Sequence, residues 1–319
     1  MRQTLRLMDR PAEERVTARI AREICVRQNL KALITGSIVP LGSHYVITLE
    51  AIHGQTGESL AREQVEAESK EQVLRALSLA ATRLRAKLCE SLSSVQQFDK
   101  GLEDATTPKL EAFQAYSLGY EQSVSGRLME AISLFRRAVE LDPDFAYAWS
   151  MLSITHFGTN RPGLAAEYAA KAYALKDRVS DYEQLHIAFR YHLLVTGDVH
   201  KALEAAMLLK WTYPRAAAGN VDLTSSYNLI GQSDQAVAEG REAIRLNPNH
   251  APAHWFLGLG LLRLDRFAEA KDVFKQAIQQ KIDLTNNMHS LLYQIAFTEA
   301  VADATREPSS PVPWVETHG

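Results

Sequence analysis

The sequence predicts a mainly α-helical fold: an α-α superhelix of about five short units, capped by a further helix and preceded by a small α/β domain. Two observations carry this. Alanines 131, 165, 202, 236 and 270 recur at steps of 34, 37, 34 and 34 residues, and fixed spacing of that length marks stacked helical hairpins. Upstream of them, residues 31–66 hold three short runs of strand composition between two helical stretches.

In chain order, Asp9 and Pro11 open a first helix as N-cap and first-turn proline. It runs to about Asn29, with Val16, Ile20 and Ile24 on one face. KALITGSIV (31–39) reads as a strand, residues 40–44 as a turn, and Tyr45 to Ile52 as an alternating strand. HGQTGES (53–59) is a turn with two glycines, Ser59 to Glu66 a weaker third strand, and Lys70 to Ser91 a helix with Val73, Leu77, Leu84 and Leu88 inward. A three-stranded meander with one or two helices is small for a self-sufficient domain. Thr4 to Met8 also has strand composition with nothing before it. The expectation is therefore a truncated α/β domain over 1–95, with a disordered start at Thr4–Met8 as the alternative. Residues 96–107 form a linker.

The repeats follow, over 108–302 with their cap. Thr107 and Pro108 open the first helix. With Ala131 as position 20 of a unit, position 27 is Ala138, Ala172, Leu209, Ala243 and Ala277. Position 7 is Leu118, Leu152, Phe189, Leu223 and Leu257, and position 8 is Gly119, Ser153, Arg190, Thr224 and Gly258. Position 24 is Phe135, Ala169, Ala206, Gly240 and Phe274. Antiparallel helices approach closely only where side chains are small. Pro143, Pro214 and Pro248 at position 32 end the second helices. Gly126, Gly197 and Gly231 stand at position 15, in the turn inside each hairpin. Unit three departs most, with three extra residues and Arg190 where a small residue is expected. Leu284 to Ala302 reads as a capping helix with Met288, Leu291 and Ile295 on one stripe, and 303–319 as a proline-rich disordered tail holding Trp314.

This pattern resembles the tetratricopeptide repeat (TPR). The resemblance covers about 108–282 and is strongest in units one and five. A second resemblance rests on TLRLMDRP, AREICVRQN, ALITGSIVPLGSHYVITLEAI, TGESLA and SSVQQFDKGLEDATTPKLEAFQAYSLG. These look like the TolB-like α/β region that joins TPRs to a serine/threonine kinase or winged-helix domain in bacterial, acidobacterial-type signalling proteins. Cys89 stands where that family more often has glycine. No glycine-rich phosphate loop with its lysine strand, no His-Arg-Asp loop and no Asp-Phe-Gly is present. The resemblance thus implies a sensing or scaffolding portion, with no kinase residue carried over.

Composition narrows the classes. Net charge is −3 with both signs interspersed, so nothing draws the chain to nucleic acid by charge. No apolar run is long enough to span a membrane, and MRQTLRLMDRPAEE lacks a signal core. Cys25 and Cys89 read as two buried structural thiols. The expected compartment is cytoplasmic by default, or extracytoplasmic if the region derives from a membrane-anchored parent.

The TPR resemblance implies that positions 2, 5, 9 and 12 of each first helix line a concave face. These supply Phe113, Tyr116, Tyr120, Tyr147, Phe157, Tyr191 and Trp255 as the candidate partner-binding groove. Large, stiff aromatics make good anchors. The same spacing equally fits packing between units or against the N-terminal domain. The lysine and asparagine pattern of carboxylate-clamping TPRs is absent, which argues against a chaperone-tail adaptor.

Spacing offers little for catalysis or metal binding. There is no G-x-S-x-G elbow, no H-E-x-x-H helix and no Ser-x-x-Lys. Glu183 and His186 are spaced i, i+3 as in di-iron bundles, but only one copy occurs. His250 and His254 read as surface histidines, and Asp142, Asp144 and Asp181 as turn and cap residues. No catalytic residue, metal or cofactor is expected. The expected function is a non-enzymatic scaffold that binds a protein or peptide, in bacterial signalling or complex assembly. The alternatives are a hydrolase with its site at the domain junction and an inactive fragment of a larger regulatory kinase. Oligomeric state is left open.

Overall fold

The computed structural model describes residues 17–27, 30–88, 107–280, 282, 293 and 296. The sequence expectations for Thr4–Met8, Cys89, most of the linker, the capping helix and the tail lie outside these residues.

The N-terminal unit contains α1 (Ala18–Arg27), β1 (Ala32–Leu41), β2 (His44–His53), β3 (Ser59–Ala67) and α2 (Val73–Lys87). The strands form an antiparallel meander in the order β1-β2-β3. Ile38 faces Ile47, and Ile47 faces Val65, so one sheet face is apolar across all three strands. Helix α2 lays Val73 and Ala76 against Ile47 and Ala67 on that face. A short 3-10 turn, Lys70–Gln72, leads into it. Its cover stops short of β1, where Ile34 and Ile38 stay 57% and 47% exposed. Leu88, expected inward, lies past the end of α2 and is exposed.

Five helical hairpins follow. They are α3 (Leu110–Val124) with α4 (Leu128–Leu141), α5 (Ala146–Gly158) with α6 (Pro162–Ala174), and α7 (Asp181–Tyr191) with α8 (Val199–Thr212). Then come α9 (Ala217–Leu229) with α10 (Ser233–Leu246) and α11 (Ala251–Arg263) with α12 (Phe267–Gln279). The array is a TPR-like superhelix. All ten residues at positions 20 and 27 are at most 1% exposed. Nine of the ten are alanine, Leu209 being the exception, and small side chains at these positions let the paired helices close on each other.

Positions 8 and 24 compensate each other. Where position 8 is Gly119 or Gly258, the ring of Phe135 or Phe274 lies directly on it. Where position 8 is larger, as in Ser153 and Thr224, position 24 shrinks to Ala169 and Gly240. The sum of the two volumes is what the crossing fixes.

The hairpin turn shows a second regularity. Gly126, Gly197 and Gly231 have φ of +86°, +69° and +75°, and Asn160 and Asp265 at the same position have φ of +57°. Position 15 is therefore left-handed in every unit. Asn and Asp fill it where glycine does not, being the side chains that tolerate that region best.

Unit three corrects the frame read from sequence. Its helix starts at Asp181, two residues before the position 1 that counting back from Ala202 assigns. Ser180 is the N-cap, with its hydroxyl accepting from Glu183 N–H while the Glu183 carboxylate accepts from Ser180 N–H, a full capping box. Two things absorb the extra residues. The connector 175–180 holds a 3-10 turn (Lys176–Arg178), and the end of the first helix, His192–Thr196, is wound as a π-helix. A π turn takes one more residue than an α turn, which shifts every side chain before it by about 100° around the axis.

Candidate functional site

The first helices α3, α5 and α7 carry a chain of aromatic contacts. On α3, Phe113, Tyr116 and Tyr120 follow at helical spacing, with ring centroids 6.4 Å and 6.3 Å apart. The Tyr116 ring also meets Phe135 at 5.8 Å, Phe145 at 5.0 Å and Tyr147 of α5 at 6.0 Å. Tyr147 reaches His186 of α7 at 6.0 Å, and His186 meets Tyr182 edge-on at 4.9 Å. Tyr182 meets Tyr213, just past α8, at 5.1 Å and 90°. Ring pairs at such distances add to plain area burial.

The expected groove residues fall into different settings. Tyr120 and Phe157 are 43% and 39% exposed, so they offer surface. Phe113 and Tyr116 are half-buried, and Tyr147 keeps only 6% of its surface. Tyr191 turns toward α6 and stacks on Tyr173 at 3.9 Å and 13°. That makes it part of an inter-helix stack, away from the Tyr116–Tyr147 contacts. Trp255 is half-buried against the cluster of Val237, Leu257, Leu261 and Phe274. In unit three the side chains that meet Tyr147 are His186 and Arg190, at i and i+4. Ile187, assigned to the face by counting, is 1% exposed within the core.

Arg190 is the side chain that sequence reasoning leaves unplaced. It is 7% exposed, and its Nη1 donates to Ser150 Oγ at 2.6 Å. Its guanidinium lies 5.7 Å from the centroid of Tyr147. It makes no ion pair with a carboxylate of the described residues. Burial pushes the hydroxyl pKa of Tyr116, Tyr120, Tyr147 and Tyr182 upward, while the Arg190 charge pulls each the other way. One cation therefore acts on four phenols, and it lies over the ring of Tyr147. The signal is present in the sequence: Ser180-Asp181-Tyr182-Glu183 is a capping-box start, and it puts Tyr182, His186 and Arg190 on one stripe.

A second polar group joins units three and four. His186 Nδ1 lies 3.1 Å from Asp222 Oδ2 on α9, near enough for attraction but out of line for a hydrogen bond. Neither ring nitrogen of His186, itself 4% exposed, has a hydrogen-bond partner. His250, the N-cap of α11, has its Nδ1 sealed from solvent, and burial lowers its pKa to about 4. His254 is 1% exposed, and its Nε2 is 2.8 Å from Pro248 O. Neither is the surface histidine expected, because α11 is covered by its neighbours on this side. Among the described residues no three His, Cys, Asp or Glu side chains gather as a metal site. Asp142 is a cap residue as expected, buried at 6% and accepting from Thr107 Oγ1.

The junction between the sheet unit and the array holds a cavity of about 240 Å³. Lys70, Glu71, Pro108, Lys109, Leu110, Glu111 and Leu141 line it. Each charged side chain that lines it has a partner, Glu71 accepting from Ser69 Oγ at 2.7 Å. Lys70 pairs with Glu111, which holds the lysine pKa up and the carboxylate pKa down, and Lys109 Nζ donates to Leu141 O at 2.8 Å. Among the described residues no helix is long and apolar enough to cross a membrane.

Residues 116–179 and 230–284 match a tetratricopeptide repeat family model. No curated protein matches the chain. Among solved structures, a thermophilic TPR protein of Thermus thermophilus overlays with a TM-score of 0.42 at 20% identity, covering 59% of this chain and 99% of that one. PilF of Pseudomonas aeruginosa overlays at 0.36 and 19% identity, covering 60% and 86%. MamA of Desulfovibrio magneticus, from residue 41 to its end, overlays at 0.31 and 15% identity, covering 54% and 96%.

Proposed function

We propose that the chain is a protein-interaction scaffold that holds an extended peptide or protein segment on the face formed by α3, α5 and α7. The observation that supports it is the chain of ring contacts from Phe113 through Tyr116 and Tyr147 to Tyr182, open to solvent at Tyr120. Such rings offer apolar area, stiffness and a hydroxyl for a peptide backbone. The setting is bacterial signalling or complex assembly, with the N-terminal meander serving as the TolB-like module beside the array. The junction cavity supports the hydrolase alternative poorly, since each of its charged groups is already engaged within the chain.

The test uses peptides selected from a random display library on the intact protein. Tyr116 and Tyr147 are poor probes, because truncating such packed rings costs about 3–5 kcal/mol of stability. Tyr120→Ala with Phe157→Ala removes exposed rings. Selected peptides should weaken about tenfold or more, the loss expected of contact anchors. Unchanged binding to the double variant overturns the reading.

A further inference from the structure

We propose that Arg190 anchors a single carboxylate of the bound segment, so that the peptide carries an acidic side chain between its apolar contacts. The inference rests on the peptide-binding reading above and names the chemistry of its central subsite.

Three observations lead to it. First, Arg190 is more than nine-tenths buried yet has one hydrogen-bonded oxygen partner, the Ser150 hydroxyl. A guanidinium carries five N–H donors in a planar fork. Burial of a charge this poorly partnered is costly, and the usual solution is a carboxylate held by two parallel hydrogen bonds. Among the described residues none is placed to do this. Glu183 is turned back to cap its own helix at Ser180, and Asp222 lies against His186.

Second, the donors around Arg190 suit an anion. The Tyr116, Tyr120, Tyr147 and Tyr182 hydroxyls all lie within reach of its charge. Beside them is His186, whose ring nitrogens have no hydrogen-bond partner. The Tyr147 ring lies 5.7 Å from the guanidinium and is itself buried, and in such a setting a charge-assisted hydrogen bond is stronger than in water.

Third, a single guanidinium suits a monoanion better than a dianion. Arg190 is the cation that all four hydroxyls feel, and the carboxylates of Glu183 and Asp222 also act on Tyr182. A carboxylate matches one guanidinium. A phosphate, at about −1.5 to −2, would exceed it and meet repulsion from the two acids.

The probes are three pools of short randomised peptides, alike except for one fixed central residue: Glu, Gln or phosphoserine. Retention on the immobilised intact protein is quantified by mass spectrometry. The wild type should hold the Glu pool about tenfold to a hundredfold better than the Gln pool, the range for a hydrogen bond to a charged group. Arg190→Met should lose that preference while still holding the Gln pool, and Arg190→Lys should keep part of it. Circular dichroism checks that each variant folds. If Arg190→Met does not, the wild-type Glu-to-Gln ratio and Arg190→Lys decide. Equal retention of Glu and Gln overturns the carboxylate anchor and leaves the groove reading standing. Preferred retention of phosphoserine overturns the assignment to a carboxylate. Retention of every pool equally by wild type and by Tyr120→Ala with Phe157→Ala overturns the groove reading and the anchor with it.

Discussion

Gly258→Ala tests the rule that positions 8 and 24 share one volume. A Cβ built on Gly258 would lie 2.1 Å from Phe274 Cζ and 2.3 Å from Cε1. Phe274 is fully buried, so its ring has no free space to move into. Overpacking costs about 1–3 kcal/mol, and contacts this short belong at the upper end. Alanine in a helix interior returns about 1 kcal/mol relative to glycine. The net expectation is a loss of about 2 kcal/mol. Gly119→Ala is the internal control. Its Cβ would meet Phe135 at 2.8 Å and 2.9 Å and Leu134 at 3.2 Å. These contacts are over half an ångström longer than those at Gly258, though Phe135 is as buried as Phe274, so the net loss should be smaller, about 1 kcal/mol or less. Both are read by urea unfolding monitored by circular dichroism. The decisive step is a double-mutant cycle with Phe274→Ala, which recreates the small-residue pairing of units two and four. In that background Gly258→Ala should cost nothing, giving a coupling of about 1–3 kcal/mol. Equal costs in both backgrounds, within about 0.5 kcal/mol, would refute the shared-volume account.

Further predictions concern turns, caps and protonation. Asp265→Gly and Asn160→Gly should each stabilise by about 0.5–1 kcal/mol, because a left-handed φ is strained for any residue with a Cβ. Gly231→Ala should destabilise by about 1 kcal/mol in the same urea-unfolding assay. Ser180→Ala should cost about 1 kcal/mol by removing one half of the capping box. Burial lowers the His250 pKa from 6.5 to about 4, opposed by Asp222 and reinforced by His254 and His186. The unfolded chain thus binds more protons between those values, so stability is complete above the unfolded pKa and falls as pH drops towards 4. The loss should reach at most about 3 kcal/mol. His250→Gln should flatten the fall in midpoint measured across that window.

Elements set by local rules are legible in the sequence. The meander strands and α2 fall within a few residues of their expected bounds, because alternation and turn residues mark them. The hairpin frame also follows from alanine spacing, since the crossing tolerates nothing larger. Reading position 15 as a glycine feature is too narrow: Asn160 and Asp265 meet the same demand for positive φ. Counting misframes unit three because a π turn and a longer connector add residues that a fixed period distributes wrongly. That error moves the assigned face onto Ile187 and Tyr191 and away from Tyr182, His186 and Arg190. The fates of His250 and Tyr147 are not legible either. Burial of a side chain depends on the neighbouring unit's helix, and periodicity within one helix is silent about it.

Hydrogen exchange on the intact protein with and without a selected peptide tests the central claim most directly. The account predicts that added protection concentrates in 110–124, 146–158 and 181–196, the first helices of units one to three. Protection confined to the second helices, around exposed Trp211 on α8, or to the sheet edge at β1 would contradict it.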